Sequence, residues 1–390
     1  MSAAQEAGSP EQRHPLLSLD TAALSRRRSV KWRAYPPDVL PLWVAEMDAA
    51  PPACVLDELR AVVDAGDLGY AWSEPYEQAV AAYAADVWGV PVAREQVRTF
   101  ANVVAGLTEI LRGGVQGEVM MSTPVYGPLA QSAVEAGRTV RPVPLGADWR
   151  LDLTAIEDAF ADATARSAGC VYVLCNPHNP TGVAHTRAEL EALAALAARF
   201  GVQVISDEVH SPMALAGATH VPYLEVAAGS DAVILFSASK AWNLAGAKIA
   251  AAIAATGGVS TLERLPLSLS RGASQLGVLA QVSALNDGRE WLLGLREDLS
   301  VARDRLLEAV ATHLPEARIV RPEASFLAWI DCRPLGLGPD PAAHFLEHAR
   351  VALSGGLEFV AGGEGFVRLN FGTHPDLVEE AVRRMAGSLS

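Results

Sequence analysis

A small group of serines and lysines follows a short apolar run and could do covalent chemistry. The run Val233–Phe236 predicts a buried strand, and Ser237, Ser239 and Lys240 follow it directly, with Lys248 eight residues further on. Hydroxyl groups and a second cation suit an oxyanion such as phosphate. A desolvated lysine has a lowered pKa and becomes a nucleophile toward carbonyls. Taken alone, the pattern is more typical of a surface lysine after a strand, so the other motifs decide the interpretation.

Polar residues also follow two other apolar runs. Residues 169–175 form a continuous apolar run, and a dense turn that contains Asn179 comes after it. Residues 202–206 form the next run, which ends at Asp207. In a parallel sheet that is covered by helices, ligands bind beyond the carboxyl ends of the strands. We therefore expect Asn179, Asp207 and Lys240 to meet at one edge of a sheet.

Helices alternate with these strands and have recognisable ends. Ser73 is predicted to cap a helix that runs to Trp88. Thr186 and Glu189 form a capping box for a helix that runs to Phe200. The alternation of strands and helices predicts an α/β fold with a mostly parallel sheet between layers of helices.

The pattern changes after about residue 285. Helices are predicted over residues 291–313, 341–353 and 375–386, and strands over 325–331 and 366–371. We therefore expect three parts, which are an N-terminal segment (1–50) that packs with the small domain, a large ligand-binding domain (51–285) and a small α+β domain (286–390). Residues 1–30 are polar and irregular and predict a loose arm.

Composition argues against several classes of protein. The formal net charge of −14 is unlike that of a nonspecific nucleic-acid binder, which needs clustered cations. The four cysteines form no C-x-x-C pair, which favours a reducing cytoplasm, and neither a secretory signal nor a membrane span is expected. His344 and His348 share a helix face, but without an H-E-x-x-H motif they predict exposed surface and no metal site.

Together and in this order, the motifs resemble those of the fold-type-I enzymes that depend on pyridoxal 5′-phosphate (PLP), within the class I/II aminotransferase superfamily. The segments that carry this resemblance are Asn179–Gly182, Asp207–His210, Ser237–Lys248 and Arg368–Phe371. Pro41–Asp48 and Gly69–Tyr70 look like the PatB/MalY type, which are cystathionine β-lyases or C–S lyases. The resemblance implies an aspartate aminotransferase-like fold, with a mostly parallel seven-stranded sheet and a smaller α+β domain.

The resemblance implies a role for each residue around the PLP ring. Lys240 would bond to the aldehyde of the cofactor and later move the α-proton of the substrate as general base. Asp207 would keep the ring nitrogen protonated, Asn179 would hydrogen-bond the phenolic oxygen, and Tyr126 would stack on the ring. His210 stands where aminotransferases usually carry a tyrosine that reaches the same phenolic oxygen. A histidine at this position resembles the lyase branch of the family. Without the family, a histidine packed in the core is the alternative.

A phosphate site is implied as well. A helix is predicted to start near Val103, and the free N–H groups of a helix start can hold an anion. By resemblance, the phosphate would bind the backbone N–H groups of Val103 and Val104, with Ser237, Ser239 and Lys248 around it. Aminotransferases commonly carry an arginine at the last position, and a lysine offers a point charge instead of a planar fork.

Two more residues would contact the substrate or join subunits. By resemblance, Arg368 would bind the α-carboxylate through a bidentate pair, whereas the alternative is a surface arginine on a strand. Tyr70 would come from the neighbouring subunit, reach the phosphate and, like Asn179, contact the substrate, which implies a homodimer with shared active sites. The sequence Ala49–Ala50 stands after Asp48, where the family often has an aromatic residue, and this could reshape the substrate entrance.

The reaction implied by the resemblance is an α,β-elimination. L-cystathionine or a related L-cysteine S-conjugate would yield pyruvate, ammonia and a thiol. An aminotransferase on the same scaffold would share the residues that bind the cofactor, while His210 and residues 43–48 favour the lyase. A PLP-binding regulatory protein is a third hypothesis. The expected partners are a small thioether amino acid and a second copy of the chain, with no nucleic acid and no membrane.

Overall fold

Residues 13–114, 116–166 and 169–389 are described by a computed structural model of the chain. The largest sheet has seven strands in the order β2-β8-β7-β6-β5-β3-β4. Strand β8 is antiparallel to both of its neighbours, and every other neighbouring pair is parallel. The predicted α/β fold with a mostly parallel sheet is confirmed. Its strands are β2 (Val97–Phe100), β3 (Glu118–Thr123), β4 (Val140–Pro144), β5 (Cys170–Cys175), β6 (Gln203–Asp207), β7 (Val233–Phe236) and β8 (Ala250–Ala254).

Both faces of this sheet are buried, as continuous apolar runs predict for parallel strands. Along β7, Val233 and Leu235 belong to one apolar cluster, whereas Ile234 and Phe236 belong to another. Successive side chains of a strand point to opposite faces, so two separate layers pack against the sheet. The polar edge that follows the strand ends is where a ligand can enter.

Helices form those two layers and the C-terminal part. Thr186 and Glu189 form the predicted capping box. Ser73 precedes its helix as predicted, but its hydroxyl contacts the Glu77 carboxylate (3.5 Å) and no backbone N–H, so the predicted cap is wrong. Among the described residues, no helix combines the length and apolar character of a membrane span. The helices are α1 (Thr21–Ser25), α2 (Val30–Arg33), α3 (Ala53–Ala65), α4 (Glu74–Trp88), α5 (Val103–Gly113), α6 (Gly127–Glu135), α7 (Leu153–Ala165), α8 (Arg187–Phe200), α9 (Tyr223–Val226), α10 (Val259–Glu263), α11 (Gln275–Asp287), α12 (Arg289–His313), α13 (Pro341–His344) and α14 (Pro375–Gly387).

The C-terminal part contains a second, antiparallel sheet in the order β12-β13-β10-β9. A separate pair joins β1 to β11 in parallel. The helix predicted over residues 341–353 is wrong at its end, because a π-helical turn after α13 stops at Ala349 and Arg350 takes a left-handed conformation (φ 56°) before β11. These strands are β1 (Leu40–Pro41), β9 (Arg318–Ile319), β10 (Leu327–Asp331), β11 (Val351–Ala352), β12 (Ser354–Gly355) and β13 (Phe366–Asn370).

Residues 13–30 pack against the rest of the chain, so the predicted loose arm is wrong over these residues. Residues 1–12, where the same prediction applies, lie outside the described residues. Leu16 and Leu24 are buried, and the backbone N–H of Leu16 donates to the Asp298 carboxylate on α12 (3.0 Å). The polar composition hid this arrangement because a few apolar anchors are enough to hold a short segment.

A buried ion pair fixes the segment that leads into the large sheet. Lys31 and Asp48 are both fully buried, and Lys31 Nζ lies 2.8 Å from an Asp48 carboxylate oxygen. Lys31 also donates to the backbone oxygen of Glu46 (3.0 Å), and Trp32 Nε1 donates to the other Asp48 oxygen (2.8 Å). A buried charge persists only when it is paired and hydrogen-bonded, so these contacts hold residues 46–48 in one position.

Candidate active site

Three parallel strands end at one cavity of about 180 Å³. Cys175 on β5 pairs with Asp207 on β6, and Asp207 pairs with Leu235 on β7, so the carboxyl ends of the strands are level. As predicted, the chain beyond these ends brings Asn179, Asp207 and Lys240 together. The cavity is lined by the predicted residues Val103, Val104, Tyr126, Asn179, Asp207, His210, Ser237, Ser239, Lys240 and Lys248.

Lys240 is a potential nucleophile and base in this cavity. Its Nζ donates to the backbone oxygen of Ala45 at 2.9 Å. Burial, together with the positive charges of Arg368 and Lys248, lowers the pKa of Lys240 from its ordinary value to about 8. A lysine with such a pKa has a substantial neutral fraction near neutral pH, and the neutral amine is the form that attacks carbonyls or takes up protons.

Asp207 faces the same cavity from the end of β6. Its carboxylate accepts a hydrogen bond from the backbone N–H of Val209 (3.2 Å). Burial raises the pKa of Asp207 to about 6, although the Val209 N–H and the charge of Lys240 oppose this shift. A buried carboxylate is stabilised by a cationic N–H partner, so this position fits the protonated ring nitrogen of a pyridine.

His210 is held in place by a residue that no sequence motif indicated. Its Nδ1 lies 2.9 Å from Ser325 Oγ, and its ring packs edge-on against Phe326. Burial and the positive charges of Lys240 and Arg368 lower the pKa of His210 to about 3. The imidazole is therefore neutral at physiological pH, and the Ser325 hydroxyl fixes its orientation toward the cavity it lines.

One wall of the cavity carries groups that can bind an anion. Val103 and Val104 are the first residues of α5, where backbone N–H groups have no partner within the helix. Asn102 caps the next N–H group, that of Ala105, at 2.9 Å, which leaves the earlier groups to the cavity. Because Lys248 also lines the cavity, the wall fits the phosphate of PLP.

Ser237 lines the cavity as predicted, and its hydroxyl also bonds within the protein. Ser237 Oγ donates to the backbone oxygen of Ile249 (2.8 Å) and accepts from the Ser239 backbone N–H (3.2 Å). The hydroxyl is thus engaged within the protein, next to the Gln281 side chain at 3.2 Å. This geometry indicates that Ser237 shapes the wall, whereas Ser239 is half-buried and available to a ligand.

An extended segment, residues 43–48, covers the cavity and is held by its backbone. Asn370 Nδ2 donates to the backbone oxygens of Val44 and Glu46, both at 2.7 Å. The Asn243 side chain accepts from the Met47 N–H (3.0 Å) and donates to its carbonyl oxygen (2.9 Å). The sequence motifs indicated this segment but not the two asparagines that hold it. Asn243 lies within the motif Ser237–Lys248, and Asn370 lies within the motif Arg368–Phe371.

Arg368 lies beside the cavity on β13 and is buried. It donates to Asn179 Oδ1 (3.0 Å), to the backbone oxygen of Trp43 (2.9 Å) and to Ser354 Oγ (3.1 Å). Its Nε has no hydrogen-bond partner among the described residues. Burial lowers the pKa of Arg368 to about 10. A buried guanidinium with an unpaired N–H and no carboxylate at hand fits the α-carboxylate of an amino acid.

Tyr70 lies outside the cavity of its own chain. Its side chain is 97% exposed, and Leu68 and Trp72 beside it are also largely exposed. The structure of one chain therefore does not bring Tyr70 to the other predicted residues. Exposed aromatic and apolar residues that follow one another in a loop mark a contact surface.

Comparisons with known proteins agree with this geometry. A family model described as aminotransferase class I and II matches residues 59–385. A Mycobacterium tuberculosis protein named "Putative cystathionine beta-lyase" is 43% identical over 96% of this chain and 98% of its own length. Cystathionine beta-lyase PatB of Bacillus subtilis is 30% identical over 90% of this chain and 93% of its own length. The crystal structure of a Corynebacterium diphtheriae protein described as a "putative plp-dependent beta-cystathionase" superimposes with a TM-score of 0.88 at 31% identity, over 95% of this chain and 98% of that one.

Proposed function

The chain belongs to the aminotransferase class I and II family, and we propose that it is a PLP-dependent carbon–sulfur β-lyase. Its substrates are L-cystathionine or related L-cysteine S-conjugates, and its products are pyruvate, ammonia and a thiol. The names of its relatives support this reaction. The observation that carries the proposal is the common cavity of Lys240 and Asp207, in which the pKa of the amine is lowered and that of the carboxyl is raised.

We place the cofactor in this cavity because of the residues that line it. When bound, PLP supplies an aldehyde that captures amino groups and a ring that accepts the electron pair left at the α-carbon. The helix start at Val103 and the ammonium group of Lys248 would hold the phosphate. Asp207 would accept the ring N–H, and its negative charge would keep that nitrogen protonated. Asn179 and Tyr126 would orient the ring.

The remaining residues act on the substrate. Arg368 pairs with the α-carboxylate and so sets the orientation of the amino acid. Lys240 Nζ, once free, takes the α-proton, for which its lowered pKa is suited. Loss of that proton would break the bond between the β-carbon and sulfur, with the thiolate leaving with the bonding pair, and one water molecule would then hydrolyse the resulting enamine to pyruvate and ammonia. His210 is neutral, so it adds no charge that would compete with Arg368.

The experiment measures pyruvate from purified enzyme, PLP and L-cystathionine with no added keto acid. The proposal expects many pyruvate molecules per active site and an equal amount of homocysteine. Lys240→Ala should abolish this turnover. One amino-group exchange per site, followed by arrest until a keto acid is added, would instead identify an aminotransferase and contradict the proposal.

We also propose that the active protein is a homodimer in which Tyr70 completes the site of the neighbouring subunit. The exposure of Leu68, Tyr70 and Trp72 supports a partner at this loop. Mixing inactive Lys240→Ala and Tyr70→Ala chains should restore activity, because one of the two hybrid sites then has both intact residues. If the hybrids are dimeric by light scattering and still inactive, the proposal of shared sites is contradicted.

The division into parts 1–50, 51–285 and 286–390 stays a proposal, testable by limited proteolysis.

A further inference from the structure

A second cavity, about 420 Å³ in volume, shares no lining residue with the catalytic cavity. It lies between the carboxyl end of α4, residues 211–220 and the junction of α11 and α12. Sites for small ligands typically enclose about 300–1,000 Å³, so its size is suited to a compact molecule. No sequence motif indicates this cavity, because its lining comes from segments far apart along the chain.

Aromatic rings form the apolar part of this second cavity. Tyr83, Trp88 and Trp242 line it, and the ring centroid of Tyr83 lies 5.7 Å from that of Trp88 and 6.1 Å from that of Trp242. Trp242 Nε1 donates to the backbone oxygen of Gly288 (3.0 Å), which fixes that indole. Rigid aromatic rings of this kind favour an apolar body in the ligand.

The charged side chains that line the second cavity carry a net positive charge. Arg289, Arg296 and Asp86 line it. Neither arginine forms an ion pair with a carboxylate of the described residues, and Arg296 Nε donates to the backbone oxygen of Ala214 (2.7 Å). Arg289 is the first residue of α12, where the positive end of the helix dipole adds to its charge, and Arg296 is the eighth residue of the same helix. Two cations against one carboxylate favour a ligand with a single negative charge.

Two buried polar atoms in the lining also lack partners. Ser211 Oγ and His220 Nδ1 make no hydrogen bond to any described residue, and both residues line the second cavity. His220 Nε2 is fixed at 3.0 Å from the buried Glu208 carboxylate. Leaving a buried hydroxyl without a partner is unfavourable, so Ser211 Oγ points to an acceptor that a ligand supplies.

From the aromatic rings, the surplus charge and the unsatisfied Ser211 hydroxyl, we propose that the second cavity binds a small organic carboxylate with an apolar body. The carboxylate pairs with Arg289 and Arg296, and the body lies against the aromatic rings. The Ser211 hydroxyl donates a hydrogen bond to the carboxylate, while His220 stays paired with Glu208. The binding does not depend on which reaction the catalytic cavity performs.

The position of the second cavity links it to the catalytic residues. Ser211 directly follows His210, and Trp242 is two residues after Lys240. Tyr83 stacks on Phe236, the last residue of β7, with centroids 5.4 Å apart. A ligand in the second cavity therefore contacts the same short segments that carry the catalytic side chains, and its binding should change their turnover.

The proposed dimer surface is at the other end of α4. This helix has 15 residues, which corresponds to about 21 Å along its axis at about 1.5 Å per residue. Tyr70 precedes the first turn, whereas Trp88 ends the last turn. Tyr70 and the second cavity are thus at opposite ends of this helix.

The test is calorimetric titration of the PLP-loaded protein with 3-phenylpropionate. Two control ligands separate the contributions, since 3-phenylpropionamide lacks the charge and propionate lacks the apolar body. We expect 3-phenylpropionate to bind at least about tenfold more tightly than either control, since one charge-assisted contact contributes about 1.5–3 kcal/mol. Equal binding of all three, or none, would overturn the proposal.

Variants assign the binding to the second cavity. Arg289→Gln, at an exposed position, should weaken 3-phenylpropionate about tenfold, and Ser211→Ala should weaken it as well. Arg305→Gln, an exposed change of the same charge on the same helix, is the matched control and should leave it unchanged. Loss of binding in Arg368→Lys with full binding in Arg289→Gln would assign the ligand to the catalytic cavity and overturn the proposal.

Discussion

Gln281 on α11 joins the two halves of the proposed phosphate wall. Its Oε1 accepts from the Ala238 backbone N–H (3.0 Å) and Tyr76 Oη (3.2 Å) and lies 3.2 Å from Ser237 Oγ. Its Nε2 donates to the backbone oxygens of Ala247 and Ile249, which flank Lys248. One buried amide therefore helps to set the distance between the segment of Lys240, the proposed reactive lysine, and that of Lys248, the proposed phosphate ligand.

Replacing Gln281 by leucine should lower the affinity for PLP through its phosphate. The change leaves the Ala238 N–H and the Tyr76 hydroxyl without this acceptor, which costs about 1–3 kcal/mol each. If the wall shifts by enough to lose one charge-assisted contact to the phosphate, PLP loses about 1.5–3 kcal/mol. That corresponds to a dissociation constant roughly 10- to 150-fold higher. Pyridoxal, which lacks the phosphate, should be affected much less.

The assay compares absorbance titrations with PLP and with pyridoxal. Gln281→Leu should reduce the preference for PLP over pyridoxal at least about tenfold, the lower limit of that range. Gln78→Leu, a change of the same type on the exposed surface of α4, should leave the preference unchanged. If both cofactors weaken by the same factor in Gln281→Leu, the residue supports only the fold and the reasoning is refuted.

Three further predictions concern other contacts. Arg368→Lys should lower kcat/KM for cystathionine about 10- to 150-fold, because the bidentate pair with the carboxylate is lost, and an unchanged value in steady-state assays would be inconsistent with its role. Lys31→Met leaves Asp48 buried without its ion-pair partner, with only the Trp32 N–H left as a donor, and should cost about 3–5 kcal/mol of unfolding free energy; urea denaturation measures this, and Lys31→Met combined with Asp48→Leu should recover most of it. Burial lowers the pKa of His185 well below its ordinary value, so the folded protein keeps this ring neutral. Below about pH 6.5 the unfolded chain binds a proton at His185 that the folded protein does not bind, and the free energy of unfolding therefore falls as the pH falls. His185→Phe should flatten the decline in urea midpoint between pH 7.5 and 5.5, and an equally steep decline would show that other groups cause it.

Local signals predicted the elements that position the site. The strands β5, β6 and β7 were recognisable because each is a continuous apolar run, and the rule that ligands bind at the carboxyl ends of parallel strands brought Asn179, Asp207 and Lys240 together. Capping also has a local signature, as Thr186 and Glu189 show. The packing of residues 13–30 was missed, since burial of Leu16 depends on α12, far away in sequence.

The supports of the site could not be predicted for the same reason. Ser325 reaches His210 across 115 residues of sequence, and Gln281 reaches Ser237 across 44. Nothing near either residue in the sequence indicates its partner, because these hydrogen bonds exist only after the two parts of the chain have packed. The role of Ser237 beside the phosphate stays a prediction, and its hydroxyl bond to the backbone oxygen of Ile249 is a contact that the sequence did not indicate.

The central claim is that Lys240 is the amine that holds the cofactor, and the chain is well suited to a direct test. It contains three lysines, which are Lys31, Lys240 and Lys248. Borohydride reduction of the PLP-loaded protein fixes the cofactor to whichever amine binds it, and peptide mass spectrometry then identifies that residue. The account predicts the added mass on the peptide that contains Lys240, at one per chain. Added mass on Lys31 or Lys248 alone, or on no lysine, would contradict it.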